Sequence, residues 1–279
     1  MEKIIKWIGK RVVKGLAVFF AFLDKLKIYS FPDGFSIFRK SGKAINLLVS
    51  NYTDITTNRY IRDGSKNKIV DEGSAIWKDP FLRFQAIWSI GNGSVNTPCP
   101  VMLSTDLSSL TNLKGKTILC IGSKNHYETN LLVLKGADRS LITNVDLYSN
   151  IPGILPMDFH NLEFADESFD IVFWAGSFAY ATDLQKAANQ AVRVVKKPGI
   201  VAVGDSLMGD VTRETLLAGQ PGIQNVIDQV PSDVKVFTIG MGSIEQMTHY
   251  FTNESTSKVN VLLTRKYLPS HANVILSYS

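Results

Sequence analysis

The residues able to do chemistry gather just behind short apolar runs. Gly122-Ser123-Lys124-Asn125-His126-Tyr127-Glu128 follows the run Thr117-Ile-Leu-Cys-Ile121, and Asp146 closes Leu141-Ile-Thr-Asn-Val145. Asp158 and His160 lie within Met157-Asp-Phe-His-Asn-Leu-Glu-Phe164. Tyr180 ends the polar stretch behind Asp170-Ile-Val-Phe-Trp174. A carboxylate so placed can accept hydroxyl or amino hydrogens, and a histidine or tyrosine can take or hold a proton. His160 and Tyr180 are therefore candidate catalytic residues, with His126 beside them in the first loop. Each acid has the plainer alternative of a helix cap or solvated turn, and each histidine that of a hydrogen-bonded structural residue. The four histidines show no paired metal-ligand spacing, so no metal site is expected.

The elements that must position these groups alternate. Strand-type runs at 117–121, 141–145, 170–174 and 200–203 are separated by helical patterns through 131–134 and over 184–195. The second helix is closed by Lys196-Lys197-Pro198-Gly199, a helix-stop signal. Strand candidates at 234–239 and 258–264 flank a short helix near 243–251. Such alternation predicts an α/β fold with a doubly wound, mostly parallel sheet and helices on both faces. In such a sheet ligands bind at the carboxyl ends of the strands, near the point where strand order reverses. All the polar groups named above fall at those ends.

The N-terminal third reads differently. Residues 1–28 predict one basic amphipathic helix, with Ile4, Ile5, Ile8, Val12, Leu16, Phe19, Phe20 and Leu23 at helical spacing and Lys3, Lys6, Lys10 and Lys14 on another face. Three readings stand side by side: an interfacial membrane helix, a plain docking helix, and a signal sequence. Residues 35–50 predict a hairpin whose second strand is 44–49, and 51–75 a polar loop. Asp79-Pro80 should start a helix carrying Trp77, Phe81, Phe84 and Trp88 along one side. The loop 91–100 is the expected boundary. The expected organisation is a helix at 1–28, a small N-terminal extension at 29–112 and an α/β domain at 113–279.

Composition narrows the partners. The chain has 279 residues, 45% apolar and 20% charged, which suits a well-filled core. Its two cysteines, Cys99 and Cys120, are too few for a disulfide scaffold, so a reducing, cytoplasmic setting is expected. Residues 1–30 hold seven Lys and Arg against two Asp and Glu, which is the whole net charge of +5. The remaining body is neutral and argues against nucleic-acid binding, which needs a basic surface.

The run Met157-Asp158-Phe-His-Asn-Leu162-Glu-Phe164-Ala-Asp166-Glu-Ser168-Phe169-Asp170-Ile-Val172, with Arg193-Val-Val-Lys-Lys-Pro-Gly199, resembles the S-adenosylmethionine-dependent methyltransferases with a Rossmann-like fold. The resemblance covers roughly residues 115–205. It implies S-adenosylmethionine as cofactor, with Gly122 and Ser123 in the first loop and Asp146 on the ribose diol. Asp158 would accept from the adenine amino group, with Phe159 beside the ring. It implies a small-molecule, glycan or lipid-linked acceptor, and residues 1–28 leave room for peripheral membrane contact. One departure stands out. The family places an acid two residues before the first glycine and more glycines after it; here Cys120 replaces the acid, and Ser123, Lys124 and Asn125 follow Gly122. Either Glu128 supplies the missing carboxylate, or the domain is a non-catalytic, methyltransferase-like binding or scaffold protein. A nicotinamide-dependent oxidoreductase fits poorly, because no Gly-x-Gly-x-x-Gly follows the first strand and residue 184 is Leu rather than the lysine that would accompany Tyr180.

Overall fold

The computed structural model describes residues 2–25, 47–53, 55–56, 98–147, 151–207, 210–212, 236–238, 241–253, 258–267 and 271–279. Its centre is a seven-stranded sheet built from β1 (Ile118–Ile121), β2 (Ile142–Asp146), β3 (Ile154–Pro156), β4 (Phe169–Ala175), β5 (Val195–Ser206), β8 (Val259–Lys266) and β9 (His271–Tyr278). The order is β3-β2-β1-β4-β5-β9-β8. β1 pairs in parallel with both β2 and β4, β2 with β3, and β4 with β5. β9 runs antiparallel to β5 and to β8, so β9 alone opposes the rest. Two short strands, β6 (Asp210–Thr212) and β7 (Val236–Thr238), pair antiparallel apart from the sheet. The order reverses between β1 and β4, where the chain steps from one half of the sheet to the other. That reversal opens a crevice at the carboxyl ends of these two strands.

The strands are apolar because helices cover both faces. β1 is buried at all four positions and β4 at six of seven. On one face Leu119, Ile121, Val172, Trp174, Val201 and Val203 pack with Ala187, Ala188, Ala191 and Val194 of α4 (Leu184–Val194) and with Met247 and Phe251 of α5 (Ile244–Thr252). On the other, Ile118, Cys120, Ile171, Phe173 and Ala202 meet Cys99, Leu103 and Leu107 of α2 (Pro98–Leu110) and Leu132 of α3 (Tyr127–Leu134). Each large side chain so buried contributes roughly 1.5–3 kcal/mol. Asp183 caps α4 by accepting the Lys186 N–H at 2.9 Å.

A third cluster lies outside α3. Ala17 of α1 (Glu2–Lys25) is fully buried with Leu48, Val49 and Tyr52 against Tyr127, Leu131 and Leu134. Asn130 of α3 donates to the Thr53 hydroxyl at 2.8 Å and accepts from Arg139 at 2.9 Å, a buried polar link across the same seam.

Several expectations need correction. Residues 47–53 are helical, not the second strand of a hairpin, and 51–53 and 55–56 are helical rather than loop. The run 44–49 is too short to separate a strand from a buried helix by periodicity. Leu48, Val49 and Tyr52 share a helical face, and Thr53 returns its hydroxyl to the Val49 carbonyl at 2.8 Å. The expected loop 91–100 already contains the start of α2: Pro98 and Pro100 occupy the first turn, where a missing N–H costs nothing. β9 was not expected, although its residues 272–276 form a fully buried run. The first hairpin strand, the segment holding Trp77, Phe81, Phe84 and Trp88, and the rest of the 51–75 and 91–100 loops lie outside the described residues. The expected helix near 243–251 is α5, and the 234–239 and 258–264 runs contain β7 and much of β8.

Candidate active site

Gly122 ends β1 with φ at +74°, in the left-handed region that favours glycine. Its N–H and that of Ser123 both donate to the Val145 carbonyl, at 2.9 and 3.0 Å, which hooks the loop onto the end of β2. The Ser123 amide is therefore engaged within the protein, and the hydroxyl is the polar group this residue has left. That hydroxyl is fully buried beside the Cys120 thiol. A Cβ on Gly122 would overlap the Ser177 hydroxyl, which accepts from Trp174 Nε1 at 2.8 Å. Trp174 and Ser177 thus form the β4 wall of the crevice, and Gly122 is small because that wall stands against it.

Asn125 turns the chain into α3 by accepting the Tyr127 N–H at 2.9 Å. This places Glu128 in the first turn of the helix, inside the protein. Burial pushes its carboxyl up from an ordinary 4.5 to about 7; the Lys124 ammonium works against that rise and the Asp146 charge adds to it. Its Oε2 is buried with no hydrogen-bond partner among the described residues. His126 donates from Nε2 to the Pro152 carbonyl at 2.9 Å, while its Nδ1 is also buried and without a partner among the described residues. Burial lowers the imidazole pKa, so Nδ1 stands as a neutral acceptor. With the Ser123 hydroxyl, three buried polar atoms without a hydrogen-bond partner among the described residues thus sit in this loop, two of them pure acceptors. Unsatisfied buried polar atoms each cost about 1–3 kcal/mol, so their gathering here is a feature to be explained.

The other predicted residues cluster nearby. Asp146 is half-buried at the end of β2, and its carbonyl accepts the Met157 N–H at 2.9 Å, bringing the 157–160 turn alongside. Asp158 Oδ1 accepts from the His160 amide at 2.8 Å and from His160 Nδ1 at 2.7 Å. Those hydrogen bonds hold the Asp158 carboxyl below its ordinary value against the opposing effect of burial. His160 Nε2 accepts the Asp183 N–H at 3.3 Å, so both ring nitrogens are committed. Phe159 is buried between His160 and Trp174, with ring centroids 4.7 and 5.2 Å away. Arg193 explains why the 157–168 turn has one shape. It donates to the Leu162 and Phe164 carbonyls, at 2.7 and 2.8 Å, and to Asp166 at 2.7 Å.

Tyr180 lies in a short turn behind β4, and its phenol is pushed up by burial and then by the Asp205 charge. Asp205, at the end of β5, accepts from the Ala179 and Ser206 amides at 3.0 and 2.7 Å, and burial lifts its carboxyl to about 6. Neither Asp205 nor Ser177 is among the residues singled out from the sequence. The close approach of Ser177 to Gly122 has no local sequence signal.

Gly122, Ser123, Glu128, Asp146, Asp158 and Phe159 therefore converge at the carboxyl ends of β1–β3. Residues 129–203 match the family model described as a methyltransferase domain. Over these residues, about a quarter of the chain, it is similar to that family. The sheet order described above is that of a Rossmann-like fold. The matched residues run from α3 to the middle of β5 and include Asp146, Asp158, His160 and Tyr180. The chain is also similar to an S-adenosylmethionine-dependent methyltransferase from Mesorhizobium loti, at 10% identity over 63% of this chain and 97% of that one, with a TM-score of 0.45. A second similar structure is an S-adenosylmethionine-dependent methyltransferase from Aquifex aeolicus, at 14% identity over 72% and 99% of the two chains, with a TM-score of 0.44. No curated protein sequence matches the chain.

Proposed function

We propose that the loop 122–128, Asp146 and Asp158 hold S-adenosylmethionine over the ends of β1–β3, and that the methyl group passes to a small-molecule, glycan or lipid-linked acceptor. The observation that carries this reading is the pair of orphaned acceptors, Glu128 Oε2 and His126 Nδ1, buried in the first loop. A ligand bearing a positive ammonium, as this methyl donor does, would satisfy Glu128 Oε2. The residues present therefore fit the group despite the absence of a glycine-rich turn. Glu128 also explains Cys120. The Cys120 side chain points into the α2–α3 layer, and its thiol is raised first by burial and then by the Glu128 charge. The carboxylate absent from β1 thus returns to the same neighbourhood from α3.

When bound, the donor supplies a methyl group on a sulfonium, open to in-line attack by an acceptor lone pair. The chain's task is recognition and alignment, which can supply much of the acceleration. Glu128 faces the ammonium, Asp146 accepts from the ribose diol, and the second oxygen of Asp158 accepts from the adenine amino group. His160 acts as a positioning residue: it clamps Asp158 from Nδ1 while its Nε2 is held by Asp183. Tyr180, with its phenol raised, serves the site as a neutral hydroxyl. The domain begins at Pro98, because α2 is part of the layer covering the sheet. The acceptor side is assigned to parts of the chain outside the matched residues 129–203. A cytoplasmic location with peripheral membrane contact through residues 1–28 belongs to the same reading.

Ultraviolet cross-linking with methyl-labelled S-adenosylmethionine, followed by peptide mapping, tests the assignment. Label confined to peptides holding 122–128, 146 and 157–160 is the expected result. Label confined to other peptides overturns the assignment.

A further inference from the structure

α1 buries one side and exposes the other. Val13, Ala17, Phe20 and Ala21, spaced for one helical face, pack toward α3 and residues 48–55. Across the helix, Val12, Leu16, Phe19 and Phe22 are 56, 43, 53 and 55% exposed. A docking helix needs only its inner stripe to be apolar. Four large apolar side chains on the outer one are therefore unexplained by docking, and single exposed apolar residues would be normal where a contiguous row is not. Lys10 and Lys14 are exposed on the other side of the helix, along the stripe that continues to Ala17 and Ala21. The segment 1–30 carries the entire net positive charge of the chain, while the rest is neutral. No helix among the described residues is long and apolar enough to cross a membrane.

We propose that α1 seats the protein on an anionic lipid surface through Val12, Leu16, Phe19 and Phe22, while its inner face stays docked on the methyltransferase domain. This deepens the peripheral contact proposed above and rests on it. An exposed apolar row with lysines on the other face is the pattern of a helix lying in the interface plane, with the row in the acyl boundary and the long lysine side chains reaching back to anionic headgroups. The inner face gives this seating a consequence. Tyr127, Leu131 and Leu134, the residues α1 rests on, belong to α3, the helix that carries Glu128 into the cofactor loop. The cofactor loop is thereby held one helix from the bilayer, where an amphiphilic acceptor would be concentrated.

The full-length protein is sedimented with vesicles of phosphatidylcholine alone and with vesicles that also contain phosphatidylglycerol. Binding to the anionic vesicles that weakens at high salt is expected. Phe19→Glu with Phe22→Glu should lower that binding at least tenfold, and Lys10→Glu with Lys14→Glu roughly tenfold or more, since each basic residue near an anionic surface contributes several-fold. All four side chains are exposed, so thermal melts and S-adenosylhomocysteine binding should match wild type. That second readout separates failure of the lipid seat from failure of the cofactor site. Wild-type protein that stays in the supernatant with both vesicle types overturns the proposal. So does anionic-vesicle binding that survives Phe19→Glu/Phe22→Glu unchanged.

Discussion

Replacing Glu128 by glutamine should stabilise the ligand-free protein above neutral pH and weaken its hold on the cofactor. Burial lifts this carboxyl from 4.5 to about 7, so the folded chain binds its proton more tightly than the unfolded chain does. Stability is then full below the unfolded value and falls as pH rises through about 7. At about 1.4 kcal/mol per pH unit, that gap makes the ionised carboxylate cost the fold about 3 kcal/mol at pH 8. Glutamine removes the charge and keeps the shape, but leaves amide hydrogens to be satisfied, which returns about 1 kcal/mol. The net gain is about 2 kcal/mol, or roughly 4–8 °C in Tm for a domain of this size. At pH 5 the two proteins should melt together. Asp205, itself raised to about 6, titrates in both and cancels in the difference. Melts of both proteins at pH 5 and pH 8, with and without S-adenosylhomocysteine, provide the assay. The variant should be the more stable at pH 8 without ligand and should gain less from it, with affinity lower by about tenfold or more, as loss of a charged partner implies. Equal melting at pH 8, or a stability gain with unchanged ligand binding, would refute the argument that this carboxylate is kept for the ligand.

Two further outcomes follow from the same geometry. Asp146→Ala should lower S-adenosylhomocysteine affinity by about 1–3 kcal/mol with the fold intact, measured by titration calorimetry; unchanged affinity removes Asp146 from the site. Gly122→Ala should destabilise the protein by about 1–3 kcal/mol in chemical denaturation, because it forces a side chain into left-handed backbone and onto Ser177. Adding Ser177→Gly should recover the overlap but not the backbone strain; full recovery would show that φ contributes nothing.

The sheet was legible because its central strands are buried on both faces and read as unbroken apolar runs. Residues 118–121 and 171–175 are examples, and Gly122, Asp146 and Asp158 lie at or just beyond the carboxyl ends of β1, β2 and β3. Short or ambiguous segments failed. β3 has three residues, β9 closes the chain without a following turn, and 47–53 is a helix whose apolar positions fit a strand equally well. The site was legible by residue type but not by state. That His160 has both nitrogens committed, or that the Ser123 amide already serves Val145, depends on contacts between segments up to 23 residues apart. The conflict between Cys120 and the expected acid was visible in the chain. The resolution proposed through Glu128 rests on the first turn of α3 facing inward, where Asn125 accepts the Tyr127 N–H and Glu128 is buried.

We propose that a working cofactor pocket exists here without a glycine-rich turn. Calorimetric titration of wild-type, full-length protein with S-adenosylmethionine and with S-adenosylhomocysteine tests it most directly. Saturable binding of both at one site per chain, weakened by Glu128→Gln, is the predicted result. Absence of binding for either form by protein with a cooperative melt would contradict it and leave a methyltransferase-like fold retained for binding or scaffolding.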